Sequence, residues 1–192
     1  MTAPAEVIRT VIGALDRLGI RYHVGGSFAS SYYGLSRTTA DVDLVIEASL
    51  DQLSALADAL SGEFYVSREA MTEAFADRRS FNAILLTGPF KVDFFLVGTR
   101  PFDREEFRRA EVRDLGMPEA VRFRIKTAED LVLRKLEWFR LGGEVSERQW
   151  SDVVGVLRAM RGRLDDGYLD HWAAELGLTD LLARARAEGS RG

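Results

Sequence analysis

Three carboxylates stand where chemistry is possible: Asp41, Asp43 and Asp93. Asp41-Val42-Asp43 alternates acid and apolar residue, and two positions along a strand share one face. Their Cα atoms then lie roughly 6.8 Å apart, twice the rise per strand residue. Side chains at that spacing converge on shared divalent ions, and like charges so close call for a cation. Asp93 sits in Lys91-Val92-Asp93-Phe94-Phe95-Leu96-Val97, an otherwise apolar run. A carboxylate there needs a partner. A metal shared with Asp41 and Asp43 is one, and an Arg or Lys is the other. An all-oxygen site suits Mg²⁺, which keeps water and substrate phosphates as its remaining ligands.

Gly25-Gly26-Ser27 is the second element of this constellation. It follows a predicted strand and precedes a predicted short helix. Glycine lets backbone approach a ligand closely, and free N–H groups at a helix start bind phosphate. Ser27 adds a hydroxyl. Arg37, just ahead of the acidic pair, offers a forked donor for phosphate oxygens.

The elements that must position these residues are legible as periodicities. Val7, Ile8, Val11, Ile12, Leu15 and Leu18 predict a helix over 4–18 that Gly19 ends. Strands are expected at 20–24 and 41–46, with a short helix at 28–33 between them. Ser49 is a candidate N-cap for a helix reaching Leu60. A strand at 64–66 and a helix around 70–75 come next. The apolar runs 81–86 and 90–97, joined by Thr87-Gly88-Pro89, predict a hairpin. A short helix at 103–110 and one or two strands within 111–125 close this half. After Lys126 the pattern is helical. Thr127 and Ser146 are capping residues for helices to Leu141 and about Met160, and further helices are expected near 166–176 and 179–187. The outline is an α/β (α+β) region, 1–125, followed by a helical tail, 126–192.

Composition narrows the classes. The chain has 192 residues, 46% of them apolar, and a net charge of -4. That suffices for a real core. No cysteine is present and only two histidines, His23 and His171, which excludes disulfides, thiolate metal sites and a His-rich zinc site. No apolar run approaches the roughly 20 residues of a membrane span. The first residues lack a signal-like pattern, so a cytoplasmic protein without membrane association is expected.

Gly25-Gly26-Ser27, Tyr33-Gly34, Arg37-Thr38-Thr39 and Asp41-Val42-Asp43-Leu44-Val45-Ile46 together resemble the signature of the DNA polymerase β-like nucleotidyltransferase superfamily. The likeness is greatest to the small bacterial branch of minimal nucleotidyltransferases and abortive-infection type toxins. It implies a core with a mixed, mostly antiparallel sheet flanked by helices. It further implies two Mg²⁺ ions on Asp41, Asp43 and Asp93, and a nucleoside triphosphate on Gly25, Gly26, Ser27 and Arg37. Glu129-Asp130-Leu131 with Lys135-Leu136 is similar to a helix of the toxin-like members whose lysine contacts the triphosphate, and Lys135 matches that lysine. Gln149 departs from the acid found there in those members.

The implied reaction passes a nucleoside monophosphate to an acceptor hydroxyl and releases pyrophosphate. Small molecule, protein and tRNA remain open as acceptors. A toxin with an antitoxin protein as partner, and a non-catalytic nucleotide- or partner-binding member, remain alternatives. Arg100, Arg104, Arg108, Arg109 and Arg113 form either a nucleic-acid patch or a face balanced by Asp103, Glu105, Glu106, Glu111 and Asp114. Lys135 has a solvated helix face, and Arg148 with Asp152 a surface i,i+4 pair, as their plain readings.

Overall fold

The structure is a computed structural model and describes residues 4–34, 41–114 and 122–190. The chain divides into two compact units. One comprises Met1–Phe28 and Thr38–Ile125, the other Ala29–Arg37 and Lys126–Gly192.

The first unit is built on a seven-stranded sheet. Its strands are β1 (Arg21–Val24), β2 (Asp41–Glu47), β3 (Phe64–Val66), β4 (Ser80–Leu85), β5 (Lys91–Leu96), β6 (Glu111–Asp114) and β7 (Arg122–Ile125). The order across the sheet is β3-β4-β5-β2-β1-β7-β6. The pairs β2–β5 and β1–β7 are parallel, and the other four neighbouring pairs are antiparallel. The sheet is therefore mixed and mostly antiparallel, as the resemblance implies. β4 and β5 form the expected hairpin.

Strict alternation sets which face is dry. Val42, Leu44 and Ile46 of β2 and Val92, Phe94 and Leu96 of β5 are buried, while the residues between them are partly exposed. The helices of this unit are α1 (Pro4–Arg17), α3 (Leu50–Leu60), α4 (Arg68–Asp77) and α5 (Pro101–Arg109). The seven-residue α2 (Gly26–Tyr32) starts here and runs on into the second unit. Val7, Ile8, Val11, Ile12 and Leu15 form one buried face of α1, the 3.6-residue stripe expected of a helix lying on a core. Gly19, at φ +63°, turns the chain out of α1 into β1. Ser49 and Gln52 cap α3 reciprocally, each side chain accepting from the other's backbone N–H. The Gln52 amide also donates to the Leu18 carbonyl, which fixes the start of α3 against the end of α1.

The second unit is helical: the rest of α2, then α6 (Ala128–Leu141), α7 (Glu147–Ala159), α8 (Asp166–Glu175) and α9 (Thr179–Gly189). Thr127, Ser146 and Asp165 each accept from a backbone N–H three residues on. Within this unit the Tyr33 hydroxyl donates to the Lys126 carbonyl at 2.8 Å. Its core includes Leu131, Val132, Leu136, Val153, Val156, Leu169 and Leu181, each almost wholly buried. Among the described residues no helix is long and apolar enough to cross a membrane.

Candidate active site

The partly exposed face of β2 and β5 carries the acidic residues. In the parallel pairing Asp43 is the register partner of Asp93, and Asp41 that of Lys91. Register partners on adjacent strands project from the same face about 4.8 Å apart. Asp41, Asp43, Lys91 and Asp93 thus form a square of three anions and one cation. On the far side of β5, Asn82 of β4 is the partner of Asp93. The two distant acidic segments are therefore paired in register on adjacent strands.

The cation in that square is the residue the sequence reading passed over. Lys91 Nζ donates to Asp93 Oδ2 at 2.7 Å, with the lysine side chain 43% and the aspartate 18% exposed. The Lys91 pKa is raised above its usual value. The hydrogen bond to Asp93 is the main cause, partial desolvation opposes it, and the charges of Asp93, Asp41 and Asp43 add to it. The signal was available: Lys91 lies two positions before Asp93 on one strand, hence on the same face. Of the partners open to Asp93 in the sequence, a lysine contacts it directly in this structure.

Gly25 and Gly26 close on the square from β1. The Gly25 N–H donates to the Asp43 carbonyl at 2.8 Å. Gly26 has φ +55°, and a Cβ built on it would stand 1.5 Å from Asp43 Oδ2 and 2.5 Å from its Cγ. Only glycine satisfies both the left-handed backbone and this approach. The bend and the acidic strand are thus one packed unit. Ser27, next in the chain, is buried. Arg37 lies outside the described residues, as do Thr38 and Thr39 of the same motif.

Among the described residues no group of three Asp, Glu, His or Cys side chains is drawn together closely enough to hold a metal ion as they stand. The Lys91 ammonium takes a cation's place beside Asp93 instead. By type, three carboxylates on adjoining strands are the hard oxygen donors that a divalent cation such as Mg²⁺ takes.

Lys135 belongs to the second unit. It is buried, and its ammonium donates to Asp152 Oδ2 at 2.7 Å and to Gln149 Oε1 at 3.3 Å. The Ser30 hydroxyl reaches the same Asp152 oxygen at 3.4 Å. Lys135 is therefore not on a solvated face, and Asp152 is not a surface residue. Burial of both charges together is what the linear pattern concealed. The arginines after the sheet core are held by carboxylates: Arg100 by Asp103 at 2.8 Å, Arg104 by Glu47 at 3.0 Å, Arg108 by Glu105 at 2.6 Å, and Arg113 by Glu111. Phe102 and Phe107 are buried core residues.

Solved structures share this architecture. The crystal structure of ANT(2″)-Ia in complex with adenylyl-2″-tobramycin matches with a TM-score of 0.60 at 14% identity, over 92% of this chain and 98% of that one. The fold is that of the nucleotidyltransferases. An antigenic nucleotidyltransferase-like protein from Paracoccidioides brasiliensis matches at 0.57 and 16% identity, over 95% of this chain and 91% of that one. The lincosamide antibiotic adenylyltransferase LnuA, bound to lincomycin, matches at 0.51 and 10%, over 81% and 96%. No family model and no curated protein matches the chain. Within the nucleotidyltransferase fold, Asp41, Asp43 and Asp93 occupy adjacent central strands, beside the glycine bend.

Proposed function

We propose that this chain is a metal-dependent nucleotidyltransferase that moves a nucleoside monophosphate from a nucleoside triphosphate to a hydroxyl group. The observation that carries this reading is the register pairing of Asp43 with Asp93, with Asp41 on the same face and Gly26 packed against Asp43. Asp41, Asp43 and Asp93 would hold Mg²⁺, two ions on the family pattern. Bound there, divalent cations lower the pKa of the acceptor hydroxyl and stabilise the leaving oxygens.

The chain's own groups do the rest. Asp93, at the edge of the acidic cluster nearest β4, accepts the proton of the acceptor hydroxyl. The acceptor oxygen forms its bond to the α-phosphorus as the bond from that phosphorus to the β-phosphate bridging oxygen breaks, and pyrophosphate leaves with the electron pair. Asp41 and Asp43 fix the position of this exchange through the rigidity of β2. Gly25, Gly26, Ser27, Arg37 and Lys135 are the proposed contacts of the triphosphate, by resemblance. For Lys135 this role requires that its ammonium remain available beside Asp152.

A small molecule is the favoured acceptor. The solved structures above that name an acceptor name antibiotics, tobramycin in one and lincomycin in the other. Arg100, Arg104 and Arg108, three of the arginines a polyanionic tRNA would need, are paired with carboxylates here. The toxin variant shares the same chemistry, and growth arrest on expression, relieved by Asp41→Ala, would be its signature.

The test is incubation of the purified chain with each α-labelled nucleoside triphosphate, Mg²⁺ and a small-molecule extract. Label should move to an acceptor and pyrophosphate should appear. Asp43→Asn should cut the rate by about a hundred- to a thousandfold, the scale seen when a preorganised charge-stabilising group is removed. Transfer that persists in Asp43→Asn at the wild-type rate would remove these carboxylates from the reaction.

A further inference from the structure

We propose that Lys91 is a tethered cation that offsets part of the charge of the three carboxylates and gives way to a divalent ion when one loads, so that this residue tunes the affinity of the site for metal. The inference rests on the functional reading above and goes beyond it, because it assigns a role to a residue that the reaction itself does not use.

Three observations carry it. The register places Lys91 beside Asp41 across the strand pair and two positions from Asp93 along its own strand. Its ammonium is bonded to Asp93 at 2.7 Å. The described acidic residues do not converge on a common point as they stand. Like charges this close disfavour one another, and a cation beside them relieves part of that cost. Lys91 supplies one such charge from the chain itself.

The chemistry of lysine suits exchange. Its charge is a compact point on a flexible four-carbon stem, and the side chain here is 43% exposed, so the head can move into water without unfolding anything. An arginine at this position would grip Asp93 through two parallel bonds and give way less readily. A buried lysine would have nowhere to go. While the ammonium holds Asp93, one of the proposed metal ligands is engaged elsewhere and the proton acceptor is masked. Departure of Lys91 therefore both completes the ligand set and frees Asp93.

The experiment uses the full chain, freed of metal by chelation and dialysis, with Mn²⁺ alone as the probe. Binding is read from the electron paramagnetic resonance signal of free Mn²⁺. Lys91→Met and Lys91→Gln should bind Mn²⁺ about tenfold more tightly than wild type, the effect of removing one unit charge about 5 Å from a divalent ion even at the dielectric of water. Lys91→Arg should bind more weakly than wild type. A second readout follows the lysine directly: Mg²⁺ should raise the rate at which acetic anhydride labels Lys91, measured by peptide mass spectrometry. Circular dichroism checks that each variant is folded, and two neutral variants guard against the loss of one. Equal Mn²⁺ affinity across wild type, Met and Gln variants would overturn the exchange while leaving the three-carboxylate metal site standing. Mn²⁺ binding by none of the folded proteins, wild type included, would overturn both.

Discussion

Two lysine–aspartate pairs of the same length, 2.7 Å, sit in the two units of the chain and have different physical fates. Lys91–Asp93 lies on an open sheet face, with side chains 43% and 18% exposed. Lys135–Asp152 lies among helices, with side chains 8% and 7% exposed. In the first, water screens the attraction and can take either partner back at little cost, so the pair contributes little to stability and its ammonium is replaceable. In the second, neither ion can be rehydrated where it is, so each depends on the other. The supporting groups follow the same division. Gln149 and Ser30 complete the buried pair, whereas Lys91 faces further anions, Asp41 and Asp43. Length alone says nothing about what an ion pair is for; exposure and the surrounding charges decide it.

The largest expected effect breaks the buried pair. Asp152→Ala removes the carboxylate 2.7 Å from the buried Lys135 ammonium, and should cost about 3–5 kcal/mol of unfolding free energy in a urea titration. The double change Lys135→Met with Asp152→Leu removes both charges and should recover most of that loss. Were Asp152→Ala to unfold at the wild-type urea midpoint, the two pairs would be equivalent in kind and the contrast between them would fail.

The corresponding change on the sheet face should be small. Lys91→Ala should cost no more than about 1 kcal/mol in metal-free buffer, after allowance for the screening of a half-exposed pair. The comparison sharpens when Mg²⁺ is added. The melting temperature of Lys91→Ala should rise more on metal addition than that of wild type, because metal stabilises by mass action whatever binds it more tightly. Equal rises would place Lys91 outside the balance of charge at the acidic square.

How these pairs arise also shows what one dimension of sequence carries and what it hides. The alternation of Asp41-Val42-Asp43-Leu44 and of Lys91-Val92-Asp93-Phe94 makes the faces of β2 and β5 legible, since a period of two allows only one inward set. The caps at Ser49, Thr127 and Ser146 were legible because a capping bond spans three residues and depends on nothing remote. Strand order was not. That β2 lies between β1 and β5, and that β1 pairs with β7 some 100 residues on, is decided by packing of whole elements. The need for glycine at position 26 was visible as a turn, but its reason is Asp43 Oδ2, a neighbour seventeen positions away. Lys91 stands from Asp93 at the same two-residue spacing that makes Asp41 and Asp43 a pair, but its partner in space is fixed only by the register with β2. Lys135 and Asp152 look like ordinary charges on helices; only the assembled helices show that both are enclosed.

A third ion pair extends the comparison to the outer limit of exposure and gives the smallest effect. Arg140 of α6 grips Asp180 of α9 through one nitrogen at 2.8 and 2.7 Å, and the aspartate side chain is 70% exposed. The hydrogen bond from Arg140 is the main reason that the Asp180 carboxyl is held below its usual pKa of 3.8, with partial desolvation opposing it. A depressed carboxyl pKa contributes stability that is present above the unfolded value and is lost as pH falls through the folded value. Arg140→Gln should therefore lower the melting temperature slightly at pH 7, and the difference from wild type should shrink as pH drops below about 4. Because the pair faces solvent, 0.5 M salt should erase most of the difference at pH 7, whereas the same salt should leave the cost of Asp152→Ala largely intact. A salt response that is the same for the two variants would mean that burial does not separate the chain's ion pairs.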